Sequence, residues 1–268
     1  MKIIIPLLLA FVVFGCQNDS KPTTVDESPI TSYYFANMHY PQSTMISSTE
    51  SNKVTLEYSD GNVIKRLAGV RAIDPATGFS YAYSSEISDD LIYSDHTILI
   101  EEGRILPFYP DPTSRTKILL DNNNRMSQRI NIKDLPIYQT SLDTVKYTYN
   151  IVGLLIESKK GKQTSEHEIA QYYYNPSKNL DSIVTKNYLS GTVVFYKIKE
   201  TFDAYDAAVN PLKNLFLFKE TFLRSLSKNN YMHYEKNKYD FDNNLVDHEE
   251  RNWSIPHDAN GEILFDAN

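Results

Sequence analysis

Asp240-x-Asp242-x-Asn244 has the spacing that opens a calcium loop, in which alternate side-chain oxygens converge on one hard cation. Leu245 stands where such a loop needs its sharp-turn glycine, and Arg251 where it needs a final bidentate glutamate. An ordinary hairpin turn accounts for the same residues. His233, His248 and His257 fall near Asp247, Glu249 and Glu250, but at no metal-ligand spacing. Tyr147, Tyr149, Tyr172, Tyr174 and Tyr239 alternate along strand-like segments. Rings sharing one sheet face would make a stacking platform for sugars or peptides, or else pack against each other across strands. Cys16 is the only cysteine, which excludes an internal disulfide and a cysteine-rich metal site. There is no nucleophile elbow and no Gly-rich phosphate loop, and His167-Glu168 lacks the second histidine of a zinc helix. Glycan hydrolysis needs two carboxylates across a cleft; among 34 acidic residues no motif marks such a pair.

Strands must carry most of these positions. Val54-Thr55-Leu56-Glu57-Tyr58 alternates, and Ser59-Asp60-Gly61-Asn62 then offers the residues that tolerate the positive φ of a hairpin turn. The unit recurs. Leu120, Tyr149, Tyr174 and Phe241 end runs that lead into Asp121-Asn122-Asn123-Asn124, Asn150-Ile151-Val152-Gly153, Asn175-Pro176-Ser177-Lys178-Asn179 and Asp242-Asn243-Asn244. Leu120, Tyr149, Tyr174 and Phe202 repeat at a loose interval, the mark of stacked supersecondary units. Arg104 to Thr116, with Pro107, Pro110 and Pro112, reads as a long loop. One segment follows another period. Asn210 can cap a helix, Pro211 suits its first position, and Leu212, Leu215, Phe216, Lys219, Phe222, Leu223 and Leu226 follow helical spacing. Glu220 and Arg224 stand at i,i+4, and Asn229-Asn230 is the expected stop. A helix with so wide an apolar face must bury it against the sheet. The predicted architecture is all-β: a long, twisted antiparallel meander, curved or partly barrel-like, with one amphipathic helix packed on it.

The bulk numbers narrow the partners. A net charge of −7 with no basic stripe excludes a nucleic-acid surface. The 20 tyrosines and 12 phenylalanines favour strands.

The N-terminus carries an address. Met1-Lys2 is followed by an apolar run, Ile3 to Gly15, well short of the roughly 20 residues that span a membrane. Val13-Phe14-Gly15-Cys16 resembles the bacterial lipobox. That resemblance implies removal of residues 1–15 as a signal peptide and covalent lipid on Cys16, the one attached group expected here; no other cofactor is expected. Gln17 to Thr31 is polar and reads as a tether with a root-mean-square span of roughly 20 Å. The expected organisation is signal 1–15, lipidated cysteine and tether 16–32, and a single β-rich domain 33–268. Gln17, rather than an aspartate, follows the cysteine and points to the outer membrane; Asp19 faintly resembles the acidic surface-export signal of Bacteroidetes lipoproteins.

The aromatic-x-Tyr/Phe-Asp/Asn-x-x-Gly/Asn-x-Leu unit resembles the YD repeat of Rhs-type proteins. It resembles more closely the YD-like envelope lipoproteins of Bacteroidetes. Thr201-Phe202-Asp203-Ala204-Tyr205-Asp206, then Asn210-Pro211, then Ser227-Lys228-Asn229-Asn230, match that pattern over roughly residues 116 to 268. The resemblance implies fold and location more than activity. The expectation is a non-catalytic binding or scaffold lipoprotein of the outer membrane, its partner a glycan, a peptide or an envelope protein. The alternatives are a carrier of a lipid or other apolar ligand, with a cavity beside Leu212 to Leu226, and a glycan hydrolase.

Overall fold

The computed structural model describes residues 29–34, 53–71, 82–104, 114–134, 140–161, 166–189, 191–259, 261 and 263–264. Cys16, the signal peptide and the tether up to residue 28 lie outside the described residues, as do positions 105–113 of the expected long loop.

The described chain forms one 14-stranded antiparallel sheet in which every strand pairs with its neighbour in sequence. The strands are β1 Ser32–Tyr34, β2 Lys53–Ser59, β3 Asn62–Arg71, β4 Ala82–Ser94, β5 Thr97–Arg104, β6 Ser114–Leu120 and β7 Met126–Asp134. They continue with β8 Thr140–Tyr149, β9 Leu155–Gly161, β10 His167–Tyr174, β11 Leu180–Leu189, β12 Val193–Asp203, β13 His233–Tyr239 and β14 Leu245–Asn252. The sheet is not closed into a barrel. Among the described residues β1 and β14 are its two edges.

The repeated turn has one physical cause. The side chain of its first residue accepts two backbone N–H groups further along the turn. Asp121 takes those of Asn123 and Arg125, both at 2.9 Å. Asn150 takes those of Val152 and Leu154, at 3.1 and 2.9 Å. Asn175 takes those of Ser177 and Asn179, at 3.0 and 3.1 Å. Asp240 holds Asn244 in the same way at 2.8 Å. The fourth residue is left-handed each time: φ is 58° at Asn124, 86° at Gly153, 65° at Lys178 and 64° at Asn243. A bulge precedes each turn, at Leu119/Leu120, Thr148/Tyr149, Tyr173/Tyr174 and Lys238/Tyr239. The bulge turns the next residue inward, and Met126, Leu155 and Leu180 are buried.

Tyrosine hydroxyls latch successive hairpins together. Tyr58 donates to the carbonyl of Ile30 at 2.7 Å, Tyr93 to Val63 at 2.8 Å, Tyr149 to Met126 at 2.9 Å, and Tyr205 to Leu180. Ile30 and Thr31, expected in the tether, belong to the fold, since Thr31 also accepts the Leu56 N–H at 2.8 Å.

Between β12 and β13 the chain leaves the sheet to form an insert on its inner face. The single expected helix is two pieces: a 3-10 turn, Pro211–Leu215, and a short helix, α1, Lys219–Ser225. Asn210 caps the first as expected, accepting the Leu212 N–H at 3.0 Å. Phe218 is extended, φ −100° and ψ 142°, and this resets the helical phase. As a result α1 buries the polar residues Glu220, Thr221, Arg224 and Ser225, while Leu212, Leu215, Leu217 and Phe218 bury from the first piece and the link. The insert lies between two apolar clusters. One joins Tyr33, Val54, Leu56, Ile98, Ile118 and Met126 to Leu212, Leu215 and Phe218. The other joins Leu155, Tyr172, Leu180, Phe202, Tyr231 and Tyr234 to Phe222, Leu223 and Leu226. Phe222 and Tyr147 pack against both, so the sheet curves around the insert.

Candidate functional site

Buried charge fixes the insert in place. The bulge at Leu67/Gly69 on β3 brings the Arg66 guanidinium against Gly69, where an added Cβ would lie 2.9 Å from Cζ. Its other side meets the Phe218 ring, 4.4 Å from the centroid. Arg66 pairs with Asp89 on β4 at 2.5 Å and with Glu220 on α1, and Tyr33 donates to the same Glu220 oxygen at 3.4 Å. Burial alone would lower the Arg66 pKa, but the Glu220 and Asp89 charges outweigh it and raise it. One guanidinium serves two carboxylates in a dry site, and burial pushes the Asp89 carboxyl up despite its partner. Two more buried arginines hold the insert. Arg129 donates to the Leu217 carbonyl at 2.6 Å, and Arg224 to the Tyr231 carbonyl at 3.1 Å while lying over the Tyr231 ring at 4.0 Å. The Ser227-Lys228-Asn229-Asn230 stretch is a clasp. Ser227 accepts the Leu180 N–H at 3.0 Å, Asn229 and Asn179 exchange hydrogen bonds at 3.2 and 2.8 Å, and Asn230 donates to Asp206 at 3.0 Å.

The residues singled out in the sequence are largely engaged within the fold. Tyr172 is buried and exchanges a hydrogen bond with Ser158 at 3.0 Å. Tyr147 packs on Phe222, 5.6 Å between centroids. Tyr149 lies under Arg125 at 4.5 Å, and burial pushes its hydroxyl pKa up to about 12. Tyr174 packs on the second cluster, and Tyr239 lies under Lys197 at 4.5 Å. These rings are partly or wholly buried rather than displayed as a platform. Asp240 gives both carboxylate oxygens to Asn244, whose backbone N–H holds the Asp240 carboxyl below its usual range; Asp242 and Asn244 belong to the same turn. Among the described residues no group of three or more metal-ligating side chains converges. His233 is held between two carboxylates, Nδ1 to Asp203 at 2.8 Å and Nε2 to Glu250 at 3.2 Å. His248 meets Asn237 at 2.9 Å and His257 meets Asp206 at 3.2 Å. Each histidine ties a late segment to an earlier one.

Beside Leu212 to Leu226 the insert's own apolar side chains pack into both clusters on the inner face. Beyond the insert the inner wall turns polar, with Thr185 and Asn187 buried on β11, and with Glu200 on β12 accepting from Tyr234 at 2.7 Å. Burial raises the Glu200 pKa.

Apolar residues exposed to solvent include Ile151 and Val152 at the β8–β9 turn, and six more that gather at one corner. The β11–β12 and β13–β14 tips lie side by side, joined by Lys197 Nζ to Asn243 at 2.7 Å. Between them they expose Leu189, Val193, Phe195, Phe241, Leu245 and Val246, each 46–67% accessible. The even-numbered strands run toward the insert end, where the chain enters at Ile30, so these tips lie at the opposite end of the sheet. Next to them runs the β14 edge, with Asp247, His248, Glu250 and Asn252 exposed. Nothing in the sequence marked the corner, because isolated apolar residues at hairpin tips look like strand residues until the pairing places two tips together.

No protein family and no curated protein matches the chain. Its fold is similar to that of solved porin-like proteins. One, from Bacteroides vulgatus, is 11% identical with a TM-score of 0.48, over 82% of this chain and 87% of that one. Another, from Bacteroides uniformis, is 9% identical with a TM-score of 0.49, over 79% of each chain. On the outer face of β8, β9 and β12, Lys146, Lys159 and Lys199 are exposed.

Proposed function

We propose that this chain is a non-catalytic binding or scaffold lipoprotein of the bacterial outer membrane, lipid-anchored through Cys16, that presents the β11–β14 corner to an envelope partner. The observation that carries the reading is the position of the corner. An exposed apolar cluster marks an interaction surface, and this one lies at the end of the sheet away from the N-terminal tether. The interior supports a scaffold rather than a reaction site. Arg66, Asp89 and Glu220 are committed to one another, and the insert occupies the space a carried apolar ligand would need. The lipobox-like Val13-Phe14-Gly15-Cys16 and the polar stretch after it supply the anchor and its reach.

Mass spectrometry of the mature N-terminus, with membrane fractionation of wild type beside Cys16→Ala, tests the reading. Lipid on Cys16, and release of the variant from the membrane fraction, are expected. An unmodified Cys16 would overturn the location. Robust hydrolase activity in the purified protein would overturn the non-catalytic role.

A further inference from the structure

We infer that the partner at the β14 edge is a second copy of this chain, joined by antiparallel β14–β14 pairing about a two-fold axis at Glu249. The inference deepens the proposed scaffold role and names its partner, but it does not depend on the lipid anchor.

The backbone comes first. Trp253 donates to the Met232 carbonyl at 2.8 Å, and Met232 lies opposite Trp253 in the continuing β13–β14 register. In an antiparallel ladder, hydrogen-bonded pairs alternate with non-bonded ones. Asp247, Glu249, Arg251 and Trp253 therefore direct their backbone groups to β13, and His248, Glu250 and Asn252 direct theirs to the open side. Among the described residues no strand takes them up. An edge of this kind is a template for another strand.

Two-fold symmetry then leaves few registers. A pairing between identical strands that uses the free groups must set an even-numbered residue opposite an even-numbered one. Centring on His248 places Asp247 against the partner's Glu249, like against like. Centring on Glu250 places Glu249 opposite the partner's Arg251, but sets two Glu250 carboxylates face to face and leaves His248 opposite the partner's Asn252. Centring on Glu249 places His248 opposite the partner's Glu250 and Asp247 opposite the partner's Arg251, each twice by symmetry. Opposite charges across a strand pair attract, and like charges repel. The one like pair at the centre, Glu249 with the partner's Glu249, is already compensated within each copy by Arg251 and by Lys236 at 3.8 Å. A self-complementary edge is what a closed two-fold interface requires.

Disulfide trapping in the full-length chain, in its own membranes, tests the pairing. Glu249 and the partner's Glu249 form a non-bonded pair, where Cβ atoms sit about 4.5 Å apart, within disulfide reach. Glu249→Cys is expected to give a cross-linked dimer on a non-reducing gel. Lys236→Cys, one strand further in, is expected to give none. Asp247→Arg added to Glu249→Cys should cut the cross-linked fraction severalfold, by setting Arg against the partner's Arg251. Adding Arg251→Asp as well should restore it. Light scattering of the detergent-solubilised wild type should give the mass of two chains. A monomeric wild type, a Glu249→Cys protein that stays uncross-linked with a native circular dichroism spectrum, or equal cross-linking at Lys236→Cys would each overturn the inference. Dimers that form without membrane association would instead overturn the envelope reading and leave the pairing intact.

Discussion

At the scale of single residues, the sharpest commitments are the charges that never meet water. Glu220 is buried and shared by Arg66 and Tyr33. Removing one partner of a buried pair strands the other. We expect Glu220→Ala to cost about 3 kcal/mol in urea unfolding; an unchanged midpoint would mean that Asp89 alone satisfies Arg66. His233 makes a second, pH-dependent commitment. Burial alone would lower its pKa, but the hydrogen bonds and charges of Glu250 and Asp203 outweigh it and raise it. A histidine raised on folding adds stability below its unfolded pKa of about 6.5 and loses it as pH climbs through the raised value. The stability difference between wild type and His233→Gln should therefore shrink across that window. A difference that stays flat would show that the two carboxylates leave the ring unperturbed. None of these partnerships was legible in the sequence. Arg66, Asp89 and Glu220 lie far apart along the chain, and spacing along one element says nothing about contacts between elements. Glu220 had an obvious neighbour in Arg224, yet it turns to Arg66 instead.

At the scale of the element, the turn is the part the sequence stated most fully. An Asp or Asn first and a Gly or Asn fourth are the local requirements of its two hydrogen bonds and its left-handed residue, so the motif located the turns after β6, β8 and β10; after β13 the sequence pattern starts the turn at Asp242, two residues past the Asp240 that holds it. The exception is informative. Lys178 takes the left-handed position with φ 65°. A side chain there costs roughly 1 kcal/mol against glycine. Lys178→Gly should raise stability by up to about 1 kcal/mol, and Gly153→Val should lower it by about 1–2 kcal/mol, both read from chemical denaturation. Equal effects at the two positions would argue against the shared geometry. The insert was legible only in part. Its apolar spacing announced a helix against the sheet, but extended Phe218 interrupts the period, and the buried face of α1 is polar. That face follows from what the sheet places opposite it, Arg66 above all, which a helical pattern cannot show.

At the scale of the whole molecule, the insert makes one cooperative unit of two halves. Phe222 belongs to both clusters, whereas Leu212 belongs to the first alone. Phe222→Ala should cost about 3 kcal/mol and speed hydrogen exchange in β6 and β11 alike, while Leu212→Ala should loosen the early strands more than the late ones. Uniform exchange in both variants would contradict this division. The all-β meander was legible because each hairpin is local; the covering of one half by the other was not. That covering has a further consequence for how the chain is made. Tyr33, Leu56, Ile98 and Ile118 wait for a cover, Leu212 to Phe218, that is synthesised on the order of ten seconds after Ile118 at ordinary translation speed. During that interval the early hairpins can close but have nothing to close upon. A nascent chain stopped after Asp203 should therefore be sticky and protease-sensitive, and productive assembly must wait for the insert to arrive.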